Sequence, residues 1–260
     1  MSLRKTLVIG ISSISTLLLI WMTGAFYLAI QSQNLVYEVD KSKNSVYPVP
    51  VETTYLKLNN GTKIEVLTAK AKNEKVKKNI IVYLHGNIGR IPKLLGDLTN
   101  YGSVVSPSYP GFSGSEGKPT TTNIYETAKI TINWLESNGV AESDITILGH
   151  SLGGSTAVYA ATQFPKVKEL VLVNTFFSIQ RECERSYSIL CVLAGNIHNS
   201  GAVAQNIDKN TPVRFFHNVN DEKIPHSEGE KLFNVIPSTN KQFLNISGTH
   251  GEFDPGEIFK

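Results

Sequence analysis

The residues best placed for chemistry lie in the segment GHSLG at 149–153. The segment stands between an apolar run, 145–148, and a run of helix-forming residues, 155–164. A serine with glycines two positions before and after it, between a strand and a helix, is typical of a sharp turn that exposes the hydroxyl at the top of a sheet. A bulky side chain at either glycine would collide with the neighbouring strand or helix. Ser151 is therefore the candidate nucleophile for acyl transfer.

A serine nucleophile needs a general base, and the chain has 6 histidines. His250 directly follows the last predicted strand, where a loop can carry an imidazole over the sheet edge to Ser151. His250 is the predicted base, with His226 at a helix start as the next candidate. His85 is predicted to be structural, holding its own loop by hydrogen bonds.

The base in turn needs a carboxylate that orients it, and the segment after the strand 213–216 offers two. Asp221 is preferred because its shorter side chain suits a tight loop, and Glu222 is interpreted as a solvated neighbour. The resulting chain order, Ser then Asp then His, is the order expected for a serine on a strand-to-helix turn.

The last requirement is a pair of backbone N–H groups for the oxyanion. One is predicted to come from Leu152, at the N-terminus of the following helix, where the helix dipole favours negative charge. The other is expected from the loop HGNIG at 85–89, from Asn87 or, as the alternative, from Ile88. Gly86 lets this backbone approach the substrate closely.

The elements that must position these groups alternate between strand and helix patterns. Strands are predicted at 52–58, 62–68, 80–84, 102–105, 145–148, 170–173, 213–216 and 242–246, and helices at 122–134, 155–164 and 227–235. Repeated βα units imply an α/β fold, a mostly parallel sheet with helices on both faces. Residues 174–212 show no clear periodicity and are predicted to form a short cap or lid above the nucleophile.

Composition limits the remaining functions. The 260 residues suit one sizeable core, and a net charge of +3 is too weak to argue for nucleic acid. The histidines and cysteines lack metal-ligand spacing, and no glycine-rich phosphate-binding pattern opens a helix, so neither a metal nor a cofactor is predicted. The sequence leaves the oligomeric state open.

The N-terminal region differs from the rest. Residues 6–30 carry no charge, and the stretch is long enough for a transmembrane signal-anchor. It follows a short basic N-terminus at 1–5. A cleaved signal peptide and a buried helix are the alternatives. Residues 31–50 are predicted to be a linker, followed by the catalytic domain at 51–260. The basic N-terminus favours a single-pass type II topology with that domain lumenal or extracellular.

In such a compartment two further features would matter. Cys183 and Cys191 are spaced so that they can form a disulfide that pins a loop, with free thiols as the alternative. Asn60 and Asn245 begin glycosylation sequons, which are usable only if they are lumenal.

Six segments carry a resemblance to a known family: YLHGNIG, SYPGFSGSEGKPT, ILGHSLGGSTA, LVNTFFSI, VNDEKIP and SGTHGEF. In their order and spacing, which span most of 51–253, the chain resembles the α/β-hydrolases, and more narrowly the membrane-anchored α/β-hydrolase-domain serine hydrolases. By this resemblance Ser151, Asp221 and His250 take the triad roles. The loop that carries Asp221, residues 219–225, is called the acid loop below. The family often has glycine directly before this loop, where this chain has Asn218.

The resemblance implies a membrane-anchored serine hydrolase that acts on small-molecule or lipid acyl substrates, either carboxylic esters or thioesters. Two alternatives stay open. A peptidase of the same fold would usually carry a large gating domain. A non-catalytic membrane binding protein that kept the fold would be recognised by the loss of a triad residue.

Overall fold

A computed structural model describes residues 16, 19–24, 37, 46–182, 197–251 and 253–259. Eight strands of these residues form one sheet: β1 (Glu52–Lys57), β2 (Lys63–Ala69), β3 (Ile80–Leu84), β4 (Ser103–Pro107), β5 (Ile145–His150), β6 (Glu169–Val173), β7 (Val213–Asn218) and β8 (Lys241–Ile246). Their spatial order is β1-β2-β4-β3-β5-β6-β7-β8. The first two pairings, β1 with β2 and β2 with β4, are antiparallel, and the five from β4 to β8 are parallel.

Helices cover both faces of the sheet. They are α1 (Pro92–Leu98), α2 (Thr121–Ser137), α3 (Leu152–Gln163), α4 (Ser200–Ala204), α5 (His226–Val235) and α6 (Pro255–Ile258). One face packs α2, α3 and α5 against side chains such as Val82 and Leu84, and the other packs α1 and α6 against Ile81 and Tyr83. The alternation along β3 divides its residues between two apolar layers, as the period of a strand requires. The predicted α/β-hydrolase fold, with a mostly parallel sheet, is confirmed.

The elements form where local signals and burial agree. All six residues of β5 are buried, which explains its unbroken apolar run. The hairpin between β1 and β2 turns at Asn59 and Asn60 and closes at Gly61, whose φ of +84° suits glycine. Helix α2 begins after Thr120, whose side chain accepts the N–H of Asn123 at 3.2 Å. Helix α1 was not predicted, because its only start signal is Pro92 and its apolar run is short.

The predicted membrane anchor at 6–30 lies mostly outside the described residues. Residues 19–24 are helical, and Leu19, Ile20, Trp21 and Met22 are exposed. Among the residues that the structure describes, no helix combines the length and apolarity needed to cross a membrane. The predicted disulfide between Cys183 and Cys191 also falls outside the described residues. Asn60 and Asn245, the two sequon asparagines, are exposed.

Parts of the predicted linker pack against the domain. Tyr37 is buried, and its hydroxyl lies 2.8 Å from Nε2 of His198, a residue of the predicted cap. It shares an apolar cluster with Leu152, Phe176 and Ile224. Nearer the domain, Tyr47 and Val49 pack on the cluster that contains α1. These linker residues therefore belong to the packed structure.

A buried ion pair ties the loop after β3 to β2. The Arg90 guanidinium bonds the Glu65 carboxylate, and their side chains are only 2% and 15% exposed. Arg90 also donates to the Ser106 carbonyl at 3.1 Å, in β4. Since Asn87 and Ile88 lie in this loop, the ion pair fixes the backbone next to Ser151.

Replacing Arg90 alone should be strongly destabilising, because it leaves the Glu65 carboxylate buried without its charge partner. We expect Arg90→Met to lower the free energy of unfolding by about 3–5 kcal/mol. The double variant Arg90→Met/Glu65→Leu should recover much of that loss, since no lone charge remains. Urea unfolding of the three proteins measures both effects. A single variant as stable as the parent would contradict a structural role for the pair.

Candidate active site

Ser151 lies on the turn between β5 and α3, with φ +54° and ψ −119°. A positive φ is costly for a residue with a Cβ, so the surrounding structure must hold it. The Ser151 N–H donates to the Val173 carbonyl at 3.0 Å, and the Gly154 N–H donates to the Ser151 carbonyl at 2.9 Å. Gly153 packs so closely on the Leu84 carbonyl that a Cβ would overlap it. The expected sharp turn is present, with glycine where the close approach requires it.

The structure brings Ser151, His250 and Asp221 together at the edge where the parallel strands end. His250 Nε2 lies 2.9 Å from Ser151 Oγ. On the other side of the ring, His250 Nδ1 lies 2.8 Å from Oδ2 and 3.0 Å from Oδ1 of Asp221. A carboxylate only accepts hydrogen bonds, so Nδ1 carries the proton and Nε2 accepts from the serine hydroxyl. This is the geometry of a hydroxyl beside an oriented base.

Asp221 is held as a carboxylate. Its Oδ1 accepts the N–H groups of Lys223 and Ile224 at 2.9 and 2.8 Å. Burial by itself would raise the pKa of Asp221, but the hydrogen bond from His250 and the backbone donors outweigh it, so the pKa is lower than usual. A charged group therefore faces the imidazole N–H at neutral pH.

Glu222 and His226, the second candidates for the orienting carboxylate and for the base, make other contacts. Glu222 is exposed as expected, but its Oε2 accepts the backbone N–H of His250 at 2.9 Å. That hydrogen bond lowers the pKa of Glu222. His226, the alternative base, begins α5 and places its Nε2 2.6 Å from Oδ1 of Asn245. His226 thus bonds away from Ser151, whereas Glu222 supports the loop that carries His250.

The loop after β3 approaches Ser151 closely. A Cβ on Gly86 would lie 3.3 Å from the Ser151 Cβ. His85 holds this loop: its Nδ1 lies 2.7 Å from the Gly86 carbonyl, and its own carbonyl accepts the Tyr109 hydroxyl at 3.1 Å. These contacts match the structural role expected for His85.

A cavity of about 280 Å³ opens beside Ser151. Its lining includes Asn87, the alternative donor Ile88, and Leu152. Leu152 is the first residue of α3, so its N–H belongs to the group at the helix start that no helical carbonyl satisfies. The predicted oxyanion donors therefore border the same space as the serine hydroxyl.

The rest of the cavity is mainly apolar. Phe176 and Ile179, from the predicted cap, face Ile224 of the acid loop. Two charged residues, Glu182 and Lys223, also line it. An apolar wall with few charges suits the hydrocarbon part of an acyl group.

Three buried histidines outside the Ser151–His250 pair stay neutral. Burial lowers the pKa of His85 to about 3, of His150 to about 4 and of His198 to about 3. His198 is hydrogen-bonded on both ring nitrogens, to Tyr37 and, at 3.3 Å, to Ser155. The folded protein therefore does not take up protons at these rings near pH 6.

This difference predicts a loss of stability in mild acid. From about pH 6.5 down to about pH 4 the unfolded chain protonates these histidines and the folded chain does not. Each histidine should then lower the free energy of unfolding by about 1.4 kcal/mol per pH unit. Chemical unfolding at several pH values measures the slope, and His198→Gln should make it shallower by one histidine's share. An unchanged slope would contradict the depressed pKa of His198.

Comparison with known proteins agrees with this architecture. A family model described as the alpha/beta hydrolase fold matches residues 79–190, which contain the loop after β3 and the Ser151 turn. The chain has the α/β-hydrolase fold. Among solved structures, it is similar to an esterase of Pyrococcus furiosus, with a TM-score of 0.67 at 12% identity, over 86% of this chain and 94% of that one.

Two curated relatives of this chain are informative. An uncharacterized membrane protein of Saccharomyces cerevisiae is 28% identical over 212 residues, which cover 78% of this chain and 75% of that protein. The lysophosphatidylserine lipase ABHD12 of Xenopus tropicalis is 25% identical over 181 residues, covering 60% of this chain and 46% of that protein.

The polar residues that surround the His250 backbone are not among those predicted from the sequence. Asn174 follows β6, is fully buried and has a φ of +47°. Its side chain donates to the His250 carbonyl at 2.9 Å. The available signal was a single asparagine directly after a buried strand, a position that faces the same edge as Ser151 and Asp221.

Proposed function

We propose that this chain is a serine hydrolase that cleaves carboxylic esters or thioesters through an acyl-enzyme. The observation that carries the proposal is the pair of contacts made by His250, 2.9 Å to Ser151 Oγ and 2.8 Å to Asp221 Oδ2. The superfamily and the relatives named as an esterase and a lipase support hydrolysis of an acyl bond.

In the proposed reaction, His250 Nε2 takes the Ser151 proton while Oγ attacks the acyl carbonyl carbon. The negative charge on the carbonyl oxygen is stabilised by the backbone N–H groups of Asn87 and Leu152. The imidazolium, stabilised by Asp221, then returns its proton to the departing alcohol or thiol. Water attacks the acyl-enzyme with His250 again as the base, which releases the acid and restores Ser151.

The cavity favours an acyl substrate with an apolar portion. Phe176, Ile179 and Ile224 supply an apolar wall, to which a hydrocarbon chain would contribute binding energy. Such a substrate is a lipid ester or an acylated protein, and these two classes share the acyl group that the site would contact. A peptide substrate and a non-catalytic binding role are the outcomes that an activity test must separate from ester hydrolysis.

Ser151→Ala should abolish covalent labelling by an active-site fluorophosphonate and lower kcat for p-nitrophenyl esters by about 10⁴-fold or more, because the attacking hydroxyl is gone. Asp221→Asn should lower kcat by about 10⁴-fold, since it disturbs the His250 tautomer. His226→Gln is the matched control and should keep full activity.

The outcomes separate the alternatives. Labelling that survives in Ser151→Ala would refute the assigned nucleophile. A parent protein that is not labelled at all would favour the binding module. Labelling with turnover of peptide amides in preference to esters would favour the peptidase.

We also propose that residues 6–30 anchor the protein in a membrane as a single-pass, type II segment. The support is the uncharged stretch itself, the exposed apolar side chains of residues 19–22, and the yeast relative described as a membrane protein. The exposed Asn60 and Asn245 would then carry glycans on the lumenal side.

The full chain should sediment with membranes and resist alkaline carbonate extraction, because burial of 6–30 in hydrocarbon is strongly favourable. A chain that lacks residues 1–30 should be released. In microsomes, Asn60→Gln and Asn245→Gln should each remove one glycan if the domain is lumenal. Carbonate extraction of the full chain would refute the anchor, and protease digestion of the domain in sealed microsomes would refute the lumenal topology.

A further inference from the structure

The backbone of the His250 loop is held by side chains from three neighbouring strand ends. The His250 carbonyl accepts two hydrogen bonds, from His150 Nε2 at 2.9 Å and from Asn174 Nδ2 at 2.9 Å. The preceding carbonyl, of Thr249, accepts Asn218 Nδ2 at 2.7 Å. His150 and Asn218 are the last residues of β5 and β7, and Asn174 directly follows β6.

These three side chains are buried, and each uses a polar atom in its hydrogen bond to the loop backbone. His150 is 2% exposed, and both asparagines are fully buried. Asn174 uses both ends of its carboxamide: Nδ2 reaches His250, while Oδ1 accepts the Asn218 N–H at 2.8 Å. A buried carboxamide with its donor and acceptor both satisfied fixes the distance between the groups it joins.

We propose that His150, Asn174 and Asn218 are positioning residues that hold the His250 loop so that its imidazole reaches Ser151. The inference rests on the proposed function, since it concerns the base of that reaction. None of the three touches the reacting atoms. Each acts through the backbone of the loop, because the described residues of the loop between β8 and α6 belong to no strand or helix.

Asn218 contributes from the end of β7. Its Nδ2 donates to the Thr249 carbonyl at 2.7 Å, a hydrogen bond that holds the loop one residue before His250. The exposed Glu222, which accepts the His250 N–H, completes the backbone contacts from the acid loop.

The experiment removes the two donors to the His250 carbonyl separately and together. His150→Leu removes one donor, and Asn174→Gly removes the other while tolerating the positive φ. We expect each single variant to lower kcat on p-nitrophenyl esters modestly, with KM little changed. The double variant should lose about 10²-fold, more than the product of the two, because the carbonyl then has neither donor.

Two controls separate positioning from general stability. His150→Gln keeps an N–H near the place of Nε2 and should restore most of the kcat lost in His150→Leu. Ser238→Ala removes a buried bond of similar type, from Ser238 Oγ to the Thr211 carbonyl at 2.6 Å, far from the loop. It should lower Tm and leave kcat unchanged.

A readout independent of turnover is the downfield proton resonance of His250 Nδ1–H in its bond to Asp221. It should weaken or shift in the double variant and persist in Ser238→Ala. If the parent shows this resonance but no hydrolysis, the proposed function fails and the positioning role can still be read from the resonance.

The positioning role is overturned if the folded double variant keeps the parental kcat and resonance. If the double variant does not fold, the single variants decide: equal kcat values for His150→Leu and His150→Gln overturn it.

Discussion

The strained backbone at Ser151 is the constraint on which the rest of the site depends. Its φ of +54° places the hydroxyl above the end of β5, a conformation that costs about 1–3 kcal/mol for a residue with a Cβ. The parallel strands offset this cost. The Ser151 N–H donates to the Val173 carbonyl of β6, and the β3 backbone lies so close to Gly153 that a Cβ there would overlap the Leu84 carbonyl. Ser151 is therefore positioned by the centre of the sheet.

The other site groups follow from the same geometry. Because β5, β6 and β7 are parallel neighbours, their carboxyl ends lie side by side, and the residues after them meet at one edge. Ser151, Asn174 and Asp221 come to this edge from consecutive strands, and His250 returns to it after β8. The His250 backbone is held there by hydrogen bonds with the side chains of His150, Asn174 and Glu222.

The sequence predicted the features that depend on local pattern. The eight strands, the turn at Ser151 and the loop positions of Asp221 and His250 are readable from short apolar runs, flanking glycines and chain order. The triad roles stay predictions, since geometry alone does not test catalysis. Helix α1 was missed because a seven-residue helix carries too little periodicity. Asn174 was missed because its one local signal, a single asparagine after a buried strand, does not identify a hydrogen-bond partner 76 positions away.

The buried Tyr37 has a consequence for how far the domain can move from an anchor. Six residues, 31–36, lie between it and Ile30, the end of the predicted anchor, and seven residues of extended chain span at most about 25 Å. Tyr37 shares an apolar cluster with Leu152, Phe176 and Ile224, which also line the cavity beside Ser151. An anchor at 6–30 would therefore keep the domain close to the membrane surface. The concentration of substrate near Ser151 would then depend on how strongly the substrate partitions into the bilayer, and not on its solubility in water.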